Sequence, residues 1–262
     1  MSEFTGVASY YLRYRPGIPK DVAGLLVAEA NRDAPATTLL DLGTGTGQVI
    51  EALHRQFPDI IAVDPDAEML ETAETHLRQL ISRRTTLRCF QCRAEDFVPP
   101  AGWSASLVTL CRAFHWTDQP LLLQRLSQYV ASTGVVAVFG DRSFWEANSE
   151  WKKAIRAVIQ SFLGEQRRAG SGVFSHHDRP YSEILKESPF NRVEEFTIPV
   201  RRTWNVESVL GYLYSTTFAS RSLFGEHIEE FETAVRAALR PFSNSGELEE
   251  ENEFVIRIGR KG

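Results

Sequence analysis

The feature that most constrains the fold is a stretch at residues 39–47 that reads Leu-Leu-Asp-Leu-Gly-Thr-Gly-Thr-Gly. Apolar residues typical of a buried strand surround an acid, Asp41, and lead directly into Gly43, Gly45 and Gly47. Glycine adopts backbone angles that other residues avoid, and it allows a ligand to approach the main chain closely. Residues 48–56 have a helical pattern, so the glycine turn should lie over a helix N-terminus. This arrangement is typical of a nucleotide-type cofactor site at the first βα turn of a doubly wound α/β fold.

The spacing of the glycines discriminates between two kinds of cofactor site. In the dinucleotide fingerprint G-x-G-x-x-G/A, the third small residue would fall on Gln48 or Ile50, so a pyrophosphate-binding turn is disfavoured. The run from residue 41 to residue 47 instead resembles the first motif of class I S-adenosylmethionine (SAM)-dependent methyltransferases. SAM has a cationic amino-acid tail, and an acid ahead of the glycines can help to hold its ammonium group. The resemblance implies SAM as the cofactor, bound by Asp41, Gly43, Thr44, Gly45 and Gly47. The alternative is a glycine turn that serves only close packing.

The order of the predicted elements extends the resemblance to most of the chain. Strand-like and helix-like patterns alternate over residues 36–141, and two more strands are predicted near 193–200 and 253–258. This order matches the Rossmann-like α/β fold of the family, a seven-stranded, mostly parallel sheet with an antiparallel last strand and helices on both faces. Residues 11–19 look like the N-terminal cap of its small-molecule branch, which includes trans-aconitate-methyltransferase-like and natural-product enzymes. We expect cap helices at 1–35, a SAM-binding core at 36–141, a lid-like insert at 142–192, and strands six and seven with acceptor-site helices at 193–262.

Composition and charge restrict the partners. The net charge is −5 and the pI is near 5.8, which argues against non-specific binding of nucleic acid. No apolar run reaches the roughly 18 residues of a transmembrane helix, and residues 1–6 lack the pattern of a signal peptide. Three cysteines fit a reducing cytoplasm, and the pair Cys89 and Cys92 lacks the further ligands of a structural zinc site. We expect a cytoplasmic monomer or homodimer acting on a small-molecule acceptor, with no nucleic-acid, membrane or metal partner.

Two acidic segments follow strands two and three, where the cofactor of such a fold binds. Asp64 ends strand two, and a carboxylate there can accept hydrogen bonds from both ribose hydroxyls. Residues 63–66 resemble the family's second cofactor motif, and residues 94–97 resemble its adenine-edge motif. The alternatives are a strand-end turn and an ordinary acidic loop. The resemblance implies cofactor contacts from Asp64, Pro65, Met69, Ala94 and Glu95, with Asp96 as the alternative to Glu95.

The segment after strand four, residues 111–116, reads Cys-Arg-Ala-Phe-His-Trp. We expect it to face the reaction centre, because ligands bind beyond the carboxyl ends of such strands. His115 is the best candidate for a general base, since an unperturbed histidine has a pKa of about 6.5. The alternative is that His115 and Trp116 pack under the cofactor. We assign Cys111 and Arg112 to the cofactor, and Phe114, His115, Trp116 and Asp141 to the substrate.

The N-terminal segment and the region after residue 141 are expected to close the site. Tyrosine rings can shield a sulfonium through cation–π attraction, and an arginine can meet the methionine carboxylate. We therefore assign Tyr11, Arg13 and Tyr14 to the cofactor, with an aromatic helix face packed on the core as the alternative. His177 and Tyr214 are candidate substrate contacts, and solvated surface is the alternative for residues 176–178.

The resemblance implies transfer of the SAM methyl group by in-line displacement, while the protein aligns the reactants and excludes water. A base is needed only if the acceptor arrives protonated. The acidic run at 247–251 could attract a cation, which slightly favours an amine such as an amino sugar over an oxygen acceptor. We expect a role in natural-product or antibiotic biosynthesis. The alternatives are an NAD(P)-dependent oxidoreductase, a non-catalytic SAM-binding protein and an aminopropyltransferase.

Overall fold

A computed structural model describes residues 6–146, 149–166, 179–243 and 246–262, and the backbone of 168–169 and 172–173. The chain divides into two compact units, each built from segments that are distant in sequence. The sheet unit comprises Gly17–Asp141, His177–Ile198 and Phe254–Gly262. The helical unit comprises Met1–Pro16, Arg142–His176 and Pro199–Glu253. The start of the predicted N-terminal cap therefore groups with the later segments, whereas residues 17–35 group with the sheet.

The sheet has seven strands. They are β1 (Thr38–Leu42), β2 (Asp59–Asp64), β3 (Thr86–Gln91), β4 (Ala105–Cys111), β5 (Val130–Asp141), β6 (Arg192–Trp204) and β7 (Leu248–Arg260). Their spatial order is β3-β2-β1-β4-β5-β7-β6. The pairs β1–β2, β2–β3, β1–β4 and β4–β5 are parallel, and β7 is antiparallel to β5. These observations confirm the predicted seven-stranded sheet with an antiparallel last strand.

The helices alternate with the first five strands and then predominate after β5. They are α1 (Ala8–Tyr14), α2 (Lys20–Ala30), α3 (Gln48–Leu53), α4 (Ala67–Leu80), α5 (Gln119–Leu126), α6 (Glu150–Leu163), α7 (Tyr181–Lys186), α8 (Val206–Tyr214) and α9 (Ile228–Leu239). Asp66 caps α4 by accepting the Met69 N–H at 3.0 Å, and Asp118 caps α5 by accepting the Leu121 N–H at 3.2 Å. Short 3₁₀ turns occupy Ala94–Asp96, Phe114–Trp116, Arg221–Leu223, Gly225–His227 and Arg240–Phe242. Within the described ranges, no helix combines the length and the apolar character needed to cross a membrane.

The core of the sheet unit lies on its central strands. Nearly every residue of β1 and β2 is buried, which is typical of parallel strands covered on both faces. The same apolar cluster includes Ile184 and Leu185 of α7 and Phe190 after it. The predicted insert at 142–192 is thus divided, with α6 in the helical unit and α7 packed in the core of the sheet unit.

The helical unit has its own aromatic core. Helix α1 packs on α8, and α6 packs on α9. A Cβ atom added to Gly211 of α8 would overlap the Tyr14 ring, so the close approach of α1 depends on that glycine. Phe224 and Phe231 stack at the start of α9 with 3.7 Å between ring centroids.

Candidate functional site

The glycine turn after β1 is held in place by the two neighbouring strands. Gly43, Gly45 and Gly47 have φ angles of 69°, 53° and 89°, in the region that glycine adopts at no steric cost. The N–H groups of Gly43 and Thr44 donate to the Val63 carbonyl of β2 at 2.9 and 3.1 Å. The turn is therefore fixed against the end of β2 before any ligand is considered.

Two of these glycines also have a packing reason to lack a side chain. A Cβ atom on Gly43 would lie 2.5 Å from the Ala113 Cβ, and one on Gly47 would lie 2.8 Å from the Leu77 side chain. At these two positions a left-handed backbone and close packing coincide, and either is a reason for glycine, while their contact with a cofactor stays a prediction. Gly45, between them, directs its N–H at the carboxylate of Asp64.

Asp64 closes the turn from the end of β2. Its Oδ2 accepts the Gly45 N–H at 2.8 Å, and its Oδ1 accepts the Asp66 N–H at 2.9 Å. Burial raises the pKa of Asp64, while these two N–H donors oppose the rise. A carboxylate oxygen has two lone pairs, so each oxygen keeps one acceptor position for a further donor such as a hydroxyl. Pro65 beside it is exposed and Met69 is buried in the first turn of α4.

Asp41 lies beneath the turn and contacts hydroxyls of the protein itself. Its Oδ2 accepts the Thr44 Oγ1–H at 2.6 Å, and its Oδ1 accepts the Thr109 Oγ1–H of β4 at 2.7 Å. The side chain is almost completely buried, and burial raises the pKa of Asp41 to about 6. Asp41 therefore ties the glycine turn to β4. The contact between Asp41 and the ammonium group of SAM remains a prediction.

The acidic segment after β3 divides into one buried and one exposed carboxylate. Glu95 is 2% exposed and accepts the Asp118 N–H at the start of α5, with Arg93 3.3 Å away. Burial opposes ionisation of Glu95, but these donors outweigh it and lower the pKa of Glu95. Asp96 is exposed, and Ala94 is buried. Glu95 thus fixes the 3₁₀ turn to α5, and Asp96 presents the carboxylate that faces solvent.

The carboxyl ends of β4 and β5 are joined by a partly buried ion pair. The Arg112 Nε donates to the Asp141 Oδ1 at 2.6 Å, and the Arg112 guanidinium lies 5.4 Å from the centroid of the Phe254 ring. Arg112 has a φ of 55°, which is uncommon for a long side chain and is found preferentially at functional sites. The Arg112 stem passes over Gly140, where a Cβ atom would lie 3.2 Å from its Cγ. The site thus holds a strained arginine where ligands of parallel sheets bind.

The 3₁₀ turn after β4 presents its aromatic residues in different environments. Phe114 is buried in the core, with its ring edge-on to Tyr181 at 5.1 Å. His115 is half-buried, and its ring lies 4.9 Å from that of Trp116, which is 46% exposed. Cys111 is half-buried and forms no disulfide. His115 and Trp116 are therefore the members of the predicted substrate set that the turn leaves accessible.

The remaining predicted site residues lie in the helical unit or outside the described residues. Arg13, Tyr14 and Tyr214 line a cavity of the helical unit, whereas the Tyr11 ring lies 4.9 Å from the Arg15 guanidinium. The cofactor roles of Tyr11, Arg13 and Tyr14 remain predictions. His176, His177 and Asp178 lie outside the described residues, and no metal-binding group of His, Cys, Asp or Glu occurs inside them.

Sequence reasoning missed several polar residues that contact neighbouring helices or line the cavity in the helical unit. Arg15 donates to the Tyr212 hydroxyl at 3.5 Å and to the Ser215 carbonyl at 3.4 Å. Arg221 and Glu232 line the same cavity as Tyr214. No motif marks these residues, because each joins its neighbours only through the packing of helices that are distant in sequence.

Comparison with known proteins finds a family match for the core of the sheet unit. Residues 39–134 match the family described as a methyltransferase domain. This range begins in β1, includes the glycine turn, Asp64 and the segment after β4, and ends within β5. The match therefore covers every cofactor residue predicted in the sheet unit.

Curated relatives match part of the chain. The chain is 29% identical over 159 residues to an uncharacterized methyltransferase of Mycobacterium tuberculosis, covering 60% of this chain and 58% of that protein. It is 31% identical over 125 residues to a trans-aconitate 2-methyltransferase of Yersinia pestis, covering 42% of this chain and 45% of that protein. The chain thus spans less than two thirds of the length of these curated relatives.

The fold has solved counterparts. A type II methyltransferase candidate from Anaeromyxobacter dehalogenans superposes with a TM-score of 0.60 at 22% identity, covering 94% of this chain and 98% of that one. At this identity the superposition shows a shared fold. The domain match over residues 39–134 and the names of the relatives agree with the predicted resemblance to class I SAM-dependent methyltransferases, and the superposition agrees with the predicted fold.

Proposed function

We propose that this chain is an enzyme that transfers the methyl group of SAM to an oxygen atom of a small-molecule acceptor. The observation that carries the proposal is the Gly45–Asp64 contact, which fixes a buried carboxylate beside the glycine turn and leaves acceptor positions on both its oxygens. When bound, SAM supplies an electrophilic methyl group on a sulfonium, which is a good leaving group.

The residues of the sheet unit fit this cofactor. Asp64 would accept hydrogen bonds from the two ribose hydroxyls, and Gly45 allows close approach of the ligand to the turn. Asp96 would read the adenine edge, because Glu95 is committed to the start of α5. Arg112, held by Asp141, offers a cation beyond β4 for an anionic group. The further proposed cofactor contacts are Asp41, Gly43, Thr44, Gly47, Pro65, Met69, Ala94 and Cys111.

The acidic run at 247–251 contains one buried carboxylate, whereas Glu247, Glu249 and Glu251 are exposed. Glu250 is 3% exposed and pairs with Lys152, and it accepts the Trp204 Nε1–H at 2.6 Å. Its pKa is lowered, since the charge of Lys152 and the hydrogen bonds outweigh the effect of burial. Glu251 lies 3.5 Å from Arg201. The run thus offers an amine fewer free carboxylates than its sequence suggests, and the relative named for trans-aconitate acts by its name on a carboxylate.

His115 would act as a general base only for acceptors that arrive protonated. A hydroxyl must lose its proton as it attacks, and a neutral imidazole can take that proton. A carboxylate acceptor is already ionised at neutral pH and needs no base. The same site therefore predicts different base requirements for the two oxygen acceptors.

The test is incubation of the full chain with methyl-labelled SAM and three acceptors that share one ring: phenol, benzoate and benzylamine. Label in the phenol or benzoate product supports oxygen methylation. Label only in benzylamine overturns the oxygen assignment. If S-adenosylhomocysteine (SAH) binds but a wider panel of acceptors gives no labelled product, the chain is a non-catalytic SAM-binding protein.

We predict that His115→Gln separates the two oxygen acceptors. Methylation of a hydroxyl acceptor should fall about a hundredfold at neutral pH, the usual scale of a lost general base, while methylation of a carboxylate acceptor is retained. SAH affinity should be unchanged and serves as the control for folding. Equal rates of the variant and the wild type on a hydroxyl acceptor would rule out the base role.

A further inference from the structure

The helical unit contains a cavity of about 450 Å³, within the range of small-molecule sites. Helices α1 and α8 form two of its walls, and Glu232 of α9 and Arg221 complete the lining. Three tyrosines, Tyr10, Tyr14 and Tyr214, contribute an aromatic wall, and Arg13 and Arg221 are exposed at its rim. Every lining residue belongs to the helical unit.

The acids of this cavity have partners within the protein. The Glu207 carboxylate pairs with Arg236 at 2.6 Å, and the Glu232 carboxylate accepts the Tyr214 hydroxyl at 2.9 Å. Burial and the contact with Glu232 raise the pKa of Tyr214, so its hydroxyl keeps its proton and remains a donor. The two carboxylates are thus partly compensated, one by a cation and the other by a hydrogen bond.

The two arginines of the rim lack such partners. Within the described part of the chain, the side chains of Arg13 and Arg221 form no hydrogen bond or ion pair, and the Arg13 guanidinium lies 5.1 Å from the centroid of the Tyr14 ring. The charged groups left to attract a ligand are therefore the positive guanidinium groups of Arg13 and Arg221. An arginine guanidinium presents paired N–H donors that match a carboxylate.

The tyrosine rings define the shape of the rest of the ligand. Tyr10 and Tyr14 stack with centroids 6.3 Å apart, and Tyr10 meets Tyr214 edge-on at 5.4 Å. Gly211 removes the side chain that would displace Tyr14, so the ring positions are fixed by packing. Aromatic walls favour a flat apolar body.

We propose that this cavity binds a small carboxylate that carries a flat ring, with Arg13 and Arg221 on the carboxylate and the tyrosines against the ring. The proposal goes beyond methyl transfer and does not rest on it, because binding should occur in the absence of SAM. It commits to an anion, whereas the acidic residues of the cavity alone would have suggested a cation.

The test is calorimetric titration of the full chain with benzoate, benzamide and benzylamine, which share a ring and differ in charge. Benzoate should bind most tightly. Arg221→Gln and Arg13→Gln should each weaken benzoate binding about tenfold, the scale of one lost charge-assisted hydrogen bond. Arg240→Gln is the matched control, because Arg240 is an exposed arginine of the same unit that does not line the cavity.

Several outcomes would overturn the proposal. Undetectable benzoate binding, equal affinity for benzamide, or tighter binding of benzylamine would each reject an anion site. Equal losses in Arg240→Gln and Arg221→Gln would show a non-specific charge effect. Displacement of benzoate by saturating SAH would assign the arginines to the cofactor tail instead. Retained benzoate binding in an Asp64→Asn variant with weakened SAH binding would keep this proposal separate from the proposed function.

Discussion

The sheet unit and the helical unit bring their polar side chains together in different ways. In the sheet unit, Asp64, Arg112 and Asp141 each lie at the end of a strand, and the carboxyl ends of parallel strands meet at one edge of the sheet. In the helical unit, Arg13 and Arg221 reach one cavity from segments about 200 residues apart. A topological rule locates the first set, whereas only the packing of particular helices locates the second.

The largest effect is expected at Gly43, where left-handed backbone and close packing coincide. Gly43→Ala places a Cβ 2.5 Å from Ala113 and should lower the free energy of unfolding by about 2–4 kcal/mol. The turn must shift, so SAH affinity should fall about a hundredfold. Denaturant unfolding and calorimetric titration measure the two effects.

Gly102→Ala is the matched control for that variant, because Gly102 also has a positive φ of 75° but has no atom within 4 Å of its Cβ position. It should cost about 1–2 kcal/mol of stability and leave SAH affinity unchanged. If both variants lost SAH binding equally, the effect would not be specific to the turn.

Asp41 should make stability depend on pH. Burial raises the pKa of Asp41 to about 6, so the folded state binds the proton more tightly than the unfolded state, whose aspartate has a pKa of about 3.9. The protein therefore loses stability as the pH rises from about 4 to about 6. Asp41→Asn removes this loss. The free energy of unfolding of the variant, minus that of the wild type, should therefore rise by about 2–3 kcal/mol between pH 4 and pH 7. If the stability difference between Asp41→Asn and the wild type stayed constant with pH, the environment of Asp41 would not favour its neutral carboxyl group.

Asp64→Asn tests the carboxylate of the cofactor site. Losing a charged acceptor should weaken SAH binding by about 1–3 kcal/mol, or roughly tenfold to a hundredfold. Asp59→Asn, at the opposite end of β2, is the matched control, because the Asp59 carboxylate is paired with Arg88 and Trp103. Unchanged SAH affinity in Asp64→Asn would refute the ribose assignment.

The smallest effect is expected at Gly211, the helical unit's counterpart to Gly43. Gly211→Ala forces the Tyr14 ring to move. The resulting strain outweighs the gain in helix propensity, so the free energy of unfolding should fall by about 1–2 kcal/mol. Benzoate binding should weaken while SAH affinity is retained. Gly24→Ala in α2 is the control and should stabilise by about 0.5–1 kcal/mol, since no atom lies within 4 Å of its Cβ position. Loss of SAH affinity in Gly211→Ala would instead support the predicted cofactor role of Tyr14.

These differences also explain what could be predicted from the sequence. Residues 38–42 were predicted as a strand, because the apolar run and the glycines mark both its ends. Strand β7 begins at Leu248 rather than near residue 253, because the acidic run looks like a loop until Glu250 is seen to pair with the buried Lys152. Strand β5 begins at Val130, and its first residues gave no strand pattern, since residues 131–134 are small or polar and the pairing of β5 with β4 is irregular there.

The same contrast holds for the candidate site. Asp64 was identifiable, since it ends an apolar strand at a fixed distance after the glycines. Glu95 and Asp96 could not be ranked, because the sequence does not show that the Glu95 carboxylate accepts the Asp118 N–H. Arg221 gave no signal at all, because no motif surrounds it and its partners in the cavity come from other helices.

The central claim is that the glycine turn and Asp64 form a SAM site rather than a dinucleotide site. The most direct measurement is calorimetric titration of the full chain with SAH and, separately, with NADH and NADPH. We predict saturable binding of SAH with one molecule per chain and no binding of either nicotinamide cofactor. Binding of NADH or NADPH without binding of SAH would contradict the account.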